Sequence, residues 1–208
     1  MIFSTNSSDP MFSTRALGDV PFTDDVALDI GWTLTAACLV FLMQAGFSLV
    51  ETGYCQYKNT QSIVMKNVLD GCVGALGWFL FGFGIAFGED NWDAENGGGF
   101  MGTNHFWITD AKLTVRDESG KITDVLHDDF FFQFTFCATA ATIVSGALAE
   151  RAKLEGYAIF SLLNAILITP VVVHWTWGGG WLAKKGFLDF AGRKSIHFIY
   201  FTVCAHRN

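Results

Sequence analysis

Charge is scarce in this chain. Asp, Glu, Lys and Arg make up 16% of its 208 residues, against about 25% in ordinary soluble proteins. Basic residues are the rarer sign, 13 against 20 acidic ones, for a net charge of −7. No basic patch exists to neutralise phosphates, which argues against a nucleic-acid partner. Proline is almost absent, at 3 residues, so no Pro-rich linker divides the chain. The five cysteines, Cys38, Cys55, Cys72, Cys137 and Cys204, show no CxxC spacing. They are expected to be small buried hydrophobes rather than a disulfide or metal framework. No metal, nucleotide or catalytic-triad pattern occurs, so neither a cofactor nor an enzymatic reaction is expected. The first 25 residues lack the apolar core of a signal peptide, and the first apolar run is expected to direct insertion itself.

What is abundant is apolar. Hydrophobic residues reach 51%, with 21 Phe, 7 Trp and 22 Gly. Residues 30–50, 71–88, 130–149 and 156–183 contain no charged side chain. A helix rising 1.5 Å per residue crosses about 30 Å of hydrocarbon in roughly 20 residues, so each run is of spanning length. The second span is expected to start near Ile63, with Lys66 and Asp70 in its first turns, snorkelling towards the headgroups. A fifth candidate, 189–205, is interrupted by Arg193, Lys194 and His197 and is expected to be an incomplete span. The acidic, Gly-rich segment between the second and third runs reads as an aqueous loop with a small hairpin around Ser119-Gly120. His105 and His127 are expected to be solvated there. The glycines Gly71, Gly74, Gly77, Gly82, Gly84 and Gly88 are expected to serve helix packing. Asn6-Ser7-Ser8 fits a glycosylation sequon. The counts of Lys and Arg in the loops leave the orientation open.

Several stretches occur in a telling order. The first span ends Phe41-Leu-Met-Gln-Ala-Gly-Phe47, followed by Glu51 and Lys58-Asn59. The second begins Val64-Met-Lys-Asn67 and ends Gly82-Phe-Gly-Ile-Ala-Phe-Gly88. The third carries Phe132-Gln133, Phe136 and Gly146-Ala-Leu-Ala-Glu-Arg151. The fourth ends His174-Trp-Thr-Trp-Gly-Gly-Gly180, and Asp189-Phe-Ala-Gly192 follows. In this order the stretches resemble the ammonium transporter family (Amt/Mep/Rh) over about residues 28–192.

The resemblance implies an all-α integral membrane bundle of about five spans. These correspond to the first half of an eleven-span inverted-repeat transporter. It implies an extracellular tail over 1–28 and spans near 29–51, 63–88, 129–149 and 156–178, with an extracellular loop over 89–128. Residues 193–208 form an atypical tail. It also implies a multi-pass protein of the plasma membrane, N-terminus outside, assembled as a homotrimer that moves ammonium or ammonia. On this reading the chain is a truncated half that does not transport alone. The alternatives are an ammonium-sensing or regulatory subunit joining full-length trimers, or a non-functional truncated product.

The resemblance also assigns roles. Trp177 matches the tryptophan that recruits the cation, whose indole face attracts positive charge. By position alone Trp175 or Trp181 would serve equally, as would an interfacial belt role. Phe136 matches a phenylalanine closing the outer mouth, singled out from Phe130, Phe131, Phe132 and Phe134 by its distance from the 146–151 motif. An apolar constriction stops hydrated ions. Asp189 matches a carboxylate at the recruitment site, either attracting the cation or holding backbone amides, the latter favoured. His197 stands where the family has its first pore histidine.

Overall fold

A backbone in lipid must satisfy its own hydrogen bonds, and long apolar segments do so as helices. The computed structural model describes residues 24–88, 99–108, 114–116, 122–125 and 127–198. Outside these lie the sequon at Asn6, the Ser119-Gly120 turn, Cys204 and the rest of the tail beyond 198, as do the side chains of His127 and Arg193.

The first helix, α1 (Asp24–Tyr54), leads through a short 3-10 turn, Tyr57–Asn59, into α2 (Thr60–Gly77). A π-helical segment, Trp78–Gly82, continues α2 into α3 (Phe83–Phe87). Two short antiparallel strands follow, β1 (Thr114–Arg116) and β2 (Ile122–Val125), pairing Thr114 with Val125. Next come α4 (His127–Leu148) and α5 (Leu154–Leu163), then a second π-segment, Asn164–Ile168. The chain continues through α6 (Thr169–Thr176), α7 (Trp181–Lys184) and a six-residue π-helical turn, Arg193–Phe198. Among the described residues four helical stretches are long and apolar enough to cross a membrane: Ala27–Tyr54, Tyr57–Phe87, Asp128–Leu148 and Leu154–Lys184. They correspond to the four uncharged runs, and the protein is a helical membrane bundle. The strands bracket the expected turn.

The two π-segments have local causes. Pro170 has no N–H to give Ile166, and the widened register of Asn164–Ile168 lies just before it. The other π-segment lies between glycines. A Cβ on Gly82 would come within 2.6 Å of the Ala165 carbonyl, and one on Gly77 within 2.9 Å of the Ala165 Cβ. The bulges therefore pack against each other where only glycine allows it. Gly84 and Gly88 are equally tight, whereas a Cβ on Gly71 would meet nothing within 4 Å among the described residues, so no helix packs on it there.

Three expectations are corrected. Lys66 and Asp70 do not snorkel: they are 2% and 0% exposed, enclosed by neighbouring helices that supply polar partners. Residues 99–108 do not float in water. Gly102 and Trp107 donate backbone hydrogen bonds to the carbonyls of Ile85 and Leu80, at 2.9 and 3.0 Å, and Ile108 is buried. The distorted helix around Trp78–Gly82 leaves carbonyls for this returning segment to take up, and His105 is half-buried within it. Of the described cysteines only Cys137 is buried; Cys38 and Cys72 are exposed on the outer faces of the bundle.

Among its described side chains α1 buries only Ala37 and Glu51. Leu28, Trp32, Leu39, Leu42 and Leu49 point outward, a surface that lipid tails solvate without cost. The core is built from α2 through α6, around Trp78, Phe83, Ala138, Ala140 and Val173.

Candidate recruitment and gate site

Helix α6 stops at Thr176 because three glycines follow. A Cβ on Gly178 would lie 2.0 Å from the Ala86 carbonyl, so the chain leaves the helix pressed against α3. His174, fully buried, fixes the same junction, its Nδ1 lying 3.0 Å from the Ala86 carbonyl oxygen. This places Trp177 at the helix end, 7% exposed.

The Trp177 indole is held on three sides. Its Nε1–H donates to the backbone carbonyl of Asp189 at 2.8 Å. Its ring meets Phe136 edge-to-face, centroids 5.9 Å apart at 64°, a favoured aromatic geometry. Gly192, at φ +69°, brings its backbone so close that a Cβ would stand 3.0 Å from the ring. Phe136 is in turn braced by Phe132 at 5.1 Å.

The Asp189 carboxylate is fully engaged. It accepts from the Lys194 N–H at 3.2 Å, the Ser195 N–H at 2.7 Å and the Ser195 hydroxyl at 2.5 Å. The Ser195 hydroxyl also lies 3.0 Å from Thr176 Oγ1, tying the 189–195 turn to the end of α6. Asp189 is 5% exposed. Its two oxygens are used in closing the turn that carries its own carbonyl to Trp177.

The structure also separates the three tryptophans. Trp175 donates its Nε1–H to the Phe100 carbonyl at 2.9 Å and packs on Phe100 and Trp181. It anchors the returning 99–108 segment. Trp181 lies beneath the Lys185 ammonium at 5.2 Å. Trp177 alone of the three packs on Phe136. His197 is not brought to this pair: its ring is exposed, and its backbone N–H closes the turn onto Gly192 at 3.3 Å. Lys194 is exposed and rests over the Phe187 ring at 4.3 Å. Sequence reasoning missed Ser195 and Thr176. No pattern marks a hydroxyl pair spaced 19 residues apart.

The sequence profile described as the Ammonium Transporter Family matches residues 31–200. The chain belongs to the ammonium transporter family. Ammonium transporter 3 of Dictyostelium discoideum is 36% identical over 198 residues, covering 95% of this chain and 41% of that protein. Ammonium transporter Amt2 of Archaeoglobus fulgidus is 35% identical over 207 residues, covering 95% of this chain and 40% of its own length. The solved structure of a sensor Amt protein superposes with a TM-score of 0.74 at 35% identity, over 88% of this chain and 44% of that one. The chain thus spans about two-fifths of the length of these transporter-family relatives.

Proposed function

We propose that this chain contributes the outer recruitment site and outer gate of a path for ammonium or ammonia. The observation that carries the reading is the Trp177–Phe136 pair: a fixed indole in edge-to-face contact with a phenylalanine next along the path. An indole face attracts a cation by about 0.5–2 kcal/mol, depending on desolvation. A phenylalanine constriction beyond it rejects the hydrated cation and admits the neutral molecule once a proton has been lost. Asp189 acts by closing the turn that holds Trp177. His197 would join the path only by rotating inward from the surface position it holds here.

The same reading places the N-terminus and the 89–128 loop outside, at the plasma membrane, with the chain assembled as a homotrimer. Residues 1–208 alone carry one gate phenylalanine and leave apolar helix faces open. We therefore expect no transport from this stretch by itself. Growth rescue of an ammonium-uptake-deficient yeast tests this. Residues 1–208 should fail, and a chimera joining 1–192 to the remainder of a close relative should succeed. Rescue by 1–208 would refute the dependence on further residues, and failure of the chimera would refute the transport reading.

A second reading, ammonium sensing without transport, is favoured by the likeness to a sensor Amt protein. Ammonium binding by the chimera in the absence of uptake would select it.

A further inference from the structure

A second polar cluster lies inside the bundle, away from Trp177, where α1, α2, α4 and α5 meet. Glu51 on α1 accepts from Asn67 Nδ2 and Ser145 Oγ, both at 3.0 Å. Lys66, on α2, donates to the Ala152 carbonyl at 3.2 Å and stands 5.6 Å from the Tyr157 ring centroid. Asp70, one turn further along α2, is 0% exposed. Tyr157 on α5 donates its hydroxyl to Asp70 Oδ2 at 2.5 Å. Among the described residues no donor lies within hydrogen-bond distance of Asp70 Oδ1 or Asn67 Oδ1, and Asn67 too is more than nine-tenths buried, at 7% exposed.

Asp70 receives few close hydrogen bonds. Thr142 Oγ1 lies 2.8 Å from Gln44 Oε1, 3.1 Å from the Ala138 carbonyl and 3.4 Å from Asp70 Oδ2. Its single hydrogen serves one of them, and Asp70 is the most distant. Among the described residues Tyr157 is then the one donor at close hydrogen-bond distance from Asp70, with the unbonded Ser161 hydroxyl of α5 standing nearby. Nor do the charges balance. Among the described residues of the cluster, two carboxylates and one ammonium leave one uncompensated negative charge at membrane depth, where bare charge is costly.

Within hydrogen-bonding or electrostatic reach of Asp70 are Glu51 from α1, Thr142 and Cys137 from α4, and Tyr157 and Ser161 from α5. The Ser161 hydroxyl is buried and makes no hydrogen bond of its own, and none of these groups brings a positive charge. Lys153 and Glu155, at the start of α5, are exposed. Glu51 has two donors and the nearby Lys66, whereas Asp70 has one close donor and lies deeper. When two carboxylates share a site in this way, the proton settles on the less solvated one.

We propose that Asp70 binds an exchangeable proton and holds it as a neutral carboxylic acid at this four-helix crossing, a proton site separate from the Trp177 site. One proton from the aqueous side of the 149–153 loop converts the carboxylate to the acid. It removes the surplus charge in a single step. The stability this site contributes is present while Asp70 is protonated and is lost as rising pH removes the proton from the folded chain. Ionisation would place a bare charge against Tyr157 and loosen α2 from α5.

Infrared difference spectroscopy of the chain in lipid nanodiscs tests the proposal. At neutral pH the unmodified chain should show the carbonyl stretch of a protonated carboxylic acid, which shifts in heavy water. Aspartate with a heavy-carbon side-chain carboxyl should move the band, and labelled glutamate should not. Asp70→Asn should abolish it and flatten the alkaline fall in melting temperature, while Glu51→Gln should retain it. No band, a band that follows glutamate, or a band that survives Asp70→Asn would each overturn the assignment. So would stability set by added ammonium or sodium with no band. If Asp70→Asn fails to fold, the labelling of the unmodified chain decides alone.

Discussion

The Trp177 indole N–H and the Asp189 backbone carbonyl are 2.8 Å apart, across a gap of 12 residues. Through this bond the turn after α7 sets the orientation of the aromatic ring at the end of α6. The carboxylate of the same aspartate closes that turn from within. One residue thus serves the indole with its main chain and the turn with its side chain.

Replacing the indole should tell most at low substrate concentration. Trp177→Leu in the chimera removes the cation-attracting face and keeps an apolar filler beside Phe136. The expected loss is about 0.5–2 kcal/mol of cation affinity, or roughly 2- to 30-fold in the ammonium concentration giving half-maximal uptake. Uptake at saturating ammonium should fall less. An unchanged half-maximal concentration would show that Trp177 is only a packing residue.

Asp189 and Ser195 should separate in magnitude. Asp189→Asn replaces a charged acceptor of several hydrogen bonds, each worth about 1.5–3 kcal/mol. It should release the 189–195 turn and raise Trp177 exposure, read as a red shift in its fluorescence. Ser195→Ala removes one hydroxyl and should cost about 1 kcal/mol, with the emission little changed. Equal shifts from both variants would contradict the hierarchy.

The loops at the other end of the bundle are joined by Glu150. Its carboxylate accepts from the Gln56 N–H at 2.8 Å and from Asn59 Nδ2 at 3.0 Å. The Asn59 amide and then the Gln56 N–H hold its carboxyl below the ordinary value of 4.5. Because the folded value is depressed, the latch is intact above the ordinary value and is lost as pH falls through the folded one. The protection factor of the Gln56 amide, its exchange relative to the intrinsic rate at the same pH, should be flat near neutrality and fall in acid. Glu150→Ala should lower it at all pH values, and unaltered protection in that variant would remove the latch.

Orientation is tested by labelling in a background where the native cysteines are replaced. Cysteine in place of Ser119 should react with an impermeant maleimide on intact cells, and cysteine in place of Ala152 should not. The reverse pattern would place the N-terminus inside.

The spans were legible because an uncharged run of spanning length has few other structures open to it. The hairpin followed from its turn residues. Trp177, Phe136 and Asp189 could be picked out by motif, and two of them meet in the structure while the third holds one of the pair. Lys66 and Asp70 were visible as charges in an apolar run, but their burial was not. Whether such a side chain reaches outward or inward depends on Tyr157, Ser145 and Glu51, which arrive from distant helices. The return of residues 99–108 onto α3 was hidden for a similar reason. Its partners are main-chain carbonyls exposed by a helix irregularity, and no side-chain pattern marks those.

The facing π-segments, Trp78–Gly82 and Asn164–Ile168, act as a matched pair of phase shifts. Each winds an extra residue into one turn, so everything beyond it is rotated by about 100° relative to an uninterrupted α-helix. Beyond the first lie Gly84, Ala86 and Gly88; beyond the second lie His174 and Gly178, which pack on Ala86. Deleting a single residue from one segment would turn one partner of that seam away while leaving the other in place. A second deletion in the opposite helix would turn the other partner away as well, so each segment is separately held to its length.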